Sequence, residues 1–211
     1  MKKEQLNHLI RAAKDISSKL NFLIIGSQAV IGDAEIYAEL EKRASLCLQS
    51  PEIDVMTFDV VDNDIQVDED STELLEWGLG ETSKFFDTFG YYLQAVSIRT
   101  AKLPNDWKLR LNRSDEDYAY KFFISIEDLI ISKLAAGREK DFVFLKDLLK
   151  TPKINIQKIK KIINQEREYI NNRSKYSDFT LEELDLIERR LDGILVQNSK
   201  KNRKTIGKKR P

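Results

Sequence analysis

An α+β fold with a helical C-terminal section is what the sequence predicts, on three observations. Short apolar runs with strand character lie in the first two-thirds of the chain, and helical periodicity dominates the remainder. The 211 residues, 41% hydrophobic and 33% charged, suffice for one globular unit with a buried core or for a core domain carrying an appendage. The charge is divided unevenly. From Thr151 to Pro211 there are 16 Lys or Arg against 8 Asp or Glu, although the whole chain has 35 of each sign. The expected organisation is therefore a core domain over residues 1–150, C-terminal helices over 151–198 and a basic tail over 199–211.

Leu6, Ile10, Ala13, Ile16 and Leu20 recur at helical spacing and predict an amphipathic helix over residues 3–20. Phe22 to Ile25 is fully apolar and ends at Gly26-Ser27, so it reads as a buried strand entering a turn, with a helix starting near Ala29 to Ile31. Residues 34–48 are weakly helical. Ser50-Pro51 stops them, because proline disfavours helical geometry in the residue before it. Ile53 to Val61 is the second strand. Asp62 to Asp70, with five acids in nine residues, is expected to be a solvated loop, and Ser71-Thr72 to cap a helix over Glu73 to Leu79. Tyr91 to Ile98 is strand-like. Trp107 to Leu111 and Tyr118 to Ile124 flank the polar segment NRSDED and suggest a hairpin.

Ser125 to Asp128 has capping-box spacing ahead of the apolar run LIISKLAA, so a helix begins there. Helices are expected over Glu139 to Lys150, Ile156 to Tyr169 and Leu181 to Val196. The last stretch, KKNRKTIGKKRP, has seven basic residues in twelve and no apolar period, so disorder is expected. Phe85, Phe86 and Phe89, at helical spacing, are expected to pack in the core.

Composition excludes several chemistries. One cysteine, Cys47, forms no internal disulfide, and with one histidine, His8, it cannot complete a Cys/His zinc site, so any metal must sit on oxygens. Cys47 reads as a small core residue and His8 as a surface or capping residue. No apolar run approaches the roughly 20 residues a membrane span needs, and the charged start MKKEQLNHLIRAAKDI is unlike a signal peptide, so a cytoplasmic protein is expected.

The arrangement richest in chemistry is Gly26-Ser27 after a buried strand, followed by Pro51-Glu52-Ile53-Asp54 entering the next. Side chains two apart on a strand share a face, so Glu52 and Asp54 project together. Like charges so placed call for a cation, and magnesium, a hard ion that takes oxygen ligands and borrows the rest from water and phosphate, suits them. Backbone N–H groups at Gly26 and Ser27, if they open a helix, would seat an anion beside it.

These parts resemble the nucleotidyltransferase superfamily, with its Gly-Ser turn and two acids in alternate positions on the next strand. The gap from Ser27 to Glu52 is longer than the usual one, and Glu52 stands where Asp is commoner. Over roughly residues 22–150 the blocks IIGSQAVIG, SPEIDV, FDTFGYYLQAV, TAKLPNDW and ISKLAAGREKD are similar, in order, to an uncharacterised bacterial family of nucleotidyltransferase-like proteins related to abortive-infection nucleotidyltransferase toxins. That resemblance implies a mixed sheet flanked by helices, magnesium or manganese on Glu52 and Asp54, and phosphate contacts from Lys133, Arg138 and Lys140 alongside Gly26 and Ser27. It implies that Asp141 orients one of these bases or completes the metal site. Two departures stand out: Phe86 occupies a position that is histidine in the family pattern, and Tyr91 to Ile98 holds no third carboxylate, Gln94 and Asp141 being the nearest substitutes.

The resulting expectation is an enzyme that moves a nucleoside monophosphate from an NTP to a hydroxyl of RNA, such as tRNA, or of a protein, in a toxin–antitoxin or phage-defence module. The alternative is an inactive protein of the same fold that acts as an antitoxin or binds a cognate toxin or antitoxin protein. A third reading is nucleic-acid binding through the basic C-terminal region.

Overall fold

The computed structural model describes the backbone of residues 1–61, 64–67, 69–97, 100–114 and 119–207, and the side chains of these except residues 61, 64, 67, 69, 70 and 201–207. Helix α1 (Lys3–Ser17) buries Leu6, Leu9, Ile10 and Ala13 and ends where Ser18 turns left-handed. Strand β1 (Asn21–Ile24) follows, then a 3-10 turn (Ser27–Gly32), α2 (Ala34–Lys42) and a second 3-10 turn (Leu46–Leu48). Next come β2 (Glu52–Val61), β3 (Asp64–Val67), α3 (Glu69–Leu79), α4 (Lys84–Phe89) and β4 (Tyr92–Ala95). The 3-10 turn Trp107–Arg110 leads into β5 (Asn112–Ser114) and β6 (Tyr120–Phe123), and the chain closes with α5 (Ile126–Ala136), α6 (Glu139–Leu148), α7 (Ile156–Asn172) and α8 (Leu181–Gly207).

The sheet is mixed, in the order β3-β2-β1-β6-β5, with β4 also on β2. β1 runs antiparallel to β2 and parallel to β6, which makes it central and explains why Phe22, Leu23 and Ile24 are fully buried. The long β2 shares its outer edge between two partners: residues 52–55 run parallel to β4, and residues 58–61 antiparallel to β3. Helix α5 is the hub of the C-terminal half, touching α6, α7 and α8. The mixed sheet flanked by helices is thus as expected.

Several local expectations are corrected. The acidic segment expected to be a loop contains β3, because Ile65 and Val67 alternate with polar neighbours and Ile65 packs against the core. Helix α3 starts at Glu69, so Ser71 and Thr72 lie inside it and do not cap it; acids at an N-terminus complement the helix dipole. The first arm of the expected hairpin is displaced. Trp107–Arg110 is a 3-10 turn because Arg110 binds Asp128 through Nε at 3.0 Å and a terminal nitrogen at 2.7 Å, and β5 pairs with β6 instead. Residues 115–118 of that hairpin, and Ile98 of the expected third strand, lie outside the described residues.

Helix α4 buries none of its residues. Phe85 is half-buried and packs against the core, half-buried Phe86 meets the Tyr92 ring, and Phe89 is exposed; Phe85 and Phe89 cluster with His8, whose Nδ1 lies 2.7 Å from the Tyr91 hydroxyl. Helix α8 continues past Val196 to Gly207, through part of the tail expected to be disordered, since Lys, Arg and Asn there contain no helix breaker before Gly207. Residues 208–211 lie outside the described residues. Cys47 is buried as expected, and burial pushes its thiol up to about 11, which removes it as a nucleophile. Among the described residues no helix is long and apolar enough to cross a membrane.

Candidate active site

The site forms where β1 leaves the sheet and β2 enters it. Antiparallel pairing sets Ile24 against Val55, and the Ile25 N–H donates to the Asp54 carbonyl at 3.2 Å, so the Gly26-Ser27 turn lies beside Glu52 and Asp54. The contact is closer than pairing alone requires. A Cβ on Gly26 would fall 1.4 Å from Asp54 Oδ2, so glycine is demanded by space and not by dihedral angle, its φ being −85°. The 24 residues between Ser27 and Glu52 are taken up by α2 and the two 3-10 turns, which is why a long sequence gap still ends in contact.

Glu52 and Asp54 share a face of β2, as the two-residue period requires. Burial and the neighbouring Glu52 carboxylate push the Asp54 carboxyl up to about 6, against an opposing pull from Lys133 and Lys140. The Tyr92 hydroxyl donates to Glu52 Oε2 at 3.2 Å; burial, then the Glu52 carboxylate, raise Tyr92 to about 12. In the parallel β2–β4 register Tyr92 pairs with Glu52, and Gln94 with Asp54. Two repelling carboxylates, both half-buried, fit a hard divalent ion that completes its shell from water and phosphate. Among the described residues no group of three His, Cys, Asp or Glu gathers to hold a metal.

Facing the pair is the α5–α6 corner. Ser125 caps α5 by accepting from the Asp128 N–H, as its spacing predicts, and Gly137 closes it in the left-handed region at φ +62°. Across that bend Lys133, Arg138 and Lys140 line the cleft. Asp141, 1% exposed, accepts from Lys133 Nζ at 3.0 Å and Arg138 Nε at 2.7 Å. Burial opposes ionisation there, but the Arg138 and Lys133 contacts prevail and hold the Asp141 carboxyl below its ordinary range. Of the two roles left open for Asp141, its contacts are those of a residue that orients bases.

The cleft has two lobes that share Asp54, Gln94, Lys133 and Arg138. One, of about 380 Å³, adds Ser27, Glu52, Lys140 and Asp141, and so sets three basic side chains against three carboxylates. The other, of about 430 Å³, adds Gly26 and is walled by apolar residues of α5 and by the segment after β4. All eight residues expected at the site thus line one cleft. The expected helix N-terminus does not materialise: Ser27–Gly32 is a six-residue 3-10 turn, too short for an appreciable dipole, which leaves anion attraction to the three basic side chains.

Tyr92 and the second lobe were missed from sequence, since their place depends on strand register and on α8. In the same turn as Ser27, the Gln28 amide is fully buried and neither its nitrogen nor its oxygen has a hydrogen-bond partner among the described residues.

A family model described as "Nucleotidyltransferase of unknown function (DUF6036)" matches residues 4–191. No curated protein matches the chain, and no solved structure does.

Proposed function

The chain belongs to this nucleotidyltransferase family, and from that membership together with the cleft we propose that it transfers a nucleoside monophosphate from an NTP to an acceptor hydroxyl. The observation that carries the reading is the contact of the Glu52 and Asp54 face with Gly26, opposite Lys133, Arg138 and Lys140. Glu52 and Asp54 are the residues that would hold magnesium or manganese, which when bound supplies charge neutralisation on the reacting phosphates. Ser27 and the three basic side chains seat the triphosphate. The acceptor oxygen bonds to the α-phosphorus, the bond from that phosphorus to the oxygen bridging to the β-phosphate breaks, and pyrophosphate leaves with the electron pair. The hydroxyl proton passes to solvent. Lys133, Arg138 and Lys140 meet the charge that grows on the leaving group, and Asp141 keeps the first two aimed.

The acceptor proposed is RNA or a protein hydroxyl, in a toxin–antitoxin or phage-defence setting; the basic surplus after Thr151 favours RNA. The test is incubation of the purified protein with radiolabelled NTPs, magnesium, and total RNA or lysate. Label transfer is expected, and Asp54→Asn should lower it roughly 100-fold or more with the fold retained. Full activity in that variant overturns the metal assignment.

A second reading, an inactive fold that binds a partner as an antitoxin, draws on one observation: the β4 position registered with Asp54 is Gln94, not a third carboxylate. Its signature is tight complexation with the product of a neighbouring gene and no label transfer.

A further inference from the structure

We propose that the larger lobe of the cleft is a nucleoside site, which receives the base and ribose of the donor while the smaller lobe receives its phosphates, and that the C-terminal helix α8 completes it. The assignment rests on the nucleotide-transfer reading and adds to it which chamber takes which half of the substrate.

The two lobes differ in charge. The Gly26-Ser27 turn divides them: Gly26 lines the larger, Ser27 the smaller. Beyond the shared Asp54, Lys133 and Arg138, the smaller adds Lys140 together with Glu52 and Asp141. Among the described residues the larger adds one cation, Lys102, and its Nζ is neutralised by Glu183 of α8 at 2.5 Å. Glu52 lines only the smaller lobe, so a divalent ion on the Glu52 and Asp54 pair would offset that lobe's acids and draw a polyphosphate there, and the uncharged half of the same molecule is left to the larger.

The larger lobe also has the lining such a group needs. Leu129, Ala135 and Ala136 of α5, with Val96 and Ala101 opposite, supply an apolar wall against which a planar base can lie. Gln94, Thr100 and Ser132 supply a carboxamide and two hydroxyls for ribose hydroxyls and base edges. At about 430 Å³ the chamber suits a small molecule, not a macromolecular acceptor. Glu183 is held in place as the acid of the Thr180 capping box: it accepts the Thr180 N–H at 2.9 Å, and its own N–H donates to Thr180 Oγ1 at 3.2 Å. The cap that starts α8 thereby fixes one rim of the chamber.

The experiment measures binding, free of turnover, of magnesium tripolyphosphate and of four magnesium NTP analogues whose α–β bridging oxygen is replaced by carbon. Ala136→Leu, at an exposed position of the last turn of α5, fills the chamber, and Ala101→Leu fills it from the other side should the first perturb the fold. At least one analogue should bind the unaltered protein ten-fold or more tighter than tripolyphosphate. Either filler should erase that advantage and leave tripolyphosphate affinity unchanged. Fillers that leave analogue affinity intact overturn the assignment, and if they slow transfer at the same time the chamber belongs to the acceptor. Analogues no tighter than tripolyphosphate on the unaltered protein overturn it while sparing the phosphate site. Failure of every ligand to bind removes the nucleotide reading and this inference together.

Discussion

Asp54 is destabilising in the metal-free protein. Its folded-state pKa of about 6 lies above the ordinary 3.8, so the folded chain binds the proton more tightly than the unfolded chain does. Stability therefore falls as pH rises from about 4 to about 6 and stays reduced above that. Asp54→Asn, nearly isosteric with the protonated acid, should be more stable than the unaltered protein by roughly 1–2 kcal/mol at pH 7 and equal to it near pH 4. Urea unfolding of metal-free protein at the two pH values measures this. Equal stability at both would mean that Asp54 is not strained by burial and by Glu52. Gly26, Ser27, Glu52 and Asp54 were legible because alternate acids on a strand and a Gly-Ser turn are local patterns, and Lys133, Arg138, Lys140 and Asp141 through the family resemblance. Tyr92 was not, because its bond to Glu52 exists only through the β2–β4 register.

Between elements, Asp147 of α6 does for the 3-10 turn Leu46–Leu48 and the end of α2 what no apolar contact could. It accepts from Arg43 at 2.8 Å, Lys150 at 2.9 Å, the Leu46 N–H at 3.0 Å and the Ser45 hydroxyl. Burial alone would raise its carboxyl; the Ser45, Lys150 and Arg43 hydrogen bonds outweigh burial and hold it well below the usual carboxylate range. Its stabilisation is complete above about pH 4 and is lost as pH falls toward the depressed folded-state value. Asp147→Asn should cost about 3 kcal/mol at neutral pH and flatten the acid side of the stability profile, measured as the urea midpoint from pH 2 to 7. The steeper acid loss must disappear in the variant for this account to stand. Helix existence was legible from 3.6-residue periodicity and caps, as Ser125 and Thr180 show. The edges were not: β3 hides in an acidic segment, and Trp107–Arg110 turns because Arg110 reaches Asp128, 18 residues away.

The C-terminal section is joined to the α5–α6 corner of the cleft through Arg190 of α8. Its guanidinium donates to the Leu134 and Ala135 carbonyls, the first at 2.5 Å, and lies 5.6 Å from the Phe142 ring centroid on α6. A Cβ on Gly137 would fall 2.4 Å from it. One side chain thus satisfies the open carbonyls at the end of α5 and braces the bend that carries Arg138, Lys140 and Asp141. Arg190→Ala should cost roughly 1–3 kcal/mol. It should also raise amide hydrogen exchange across residues 137–142 while leaving β1 and β2 protected. Uniform exchange across both regions would show that α8 does not brace this corner.

Length, composition and periodicity were enough for an α+β chain, for Gly26, Ser27, Glu52 and Asp54 as a local pattern, and for the exclusion of Cys/His zinc chemistry, because each depends on residue identity and near-neighbour spacing; Lys133, Arg138, Lys140 and Asp141 came from the family resemblance. The pairing of β4 with β2, the Lys102–Glu183 pair of the second lobe and the bracing by α8 depend on contacts between residues 40 to 81 apart. Such contacts are selected by burial of the whole core, which no local pattern encodes.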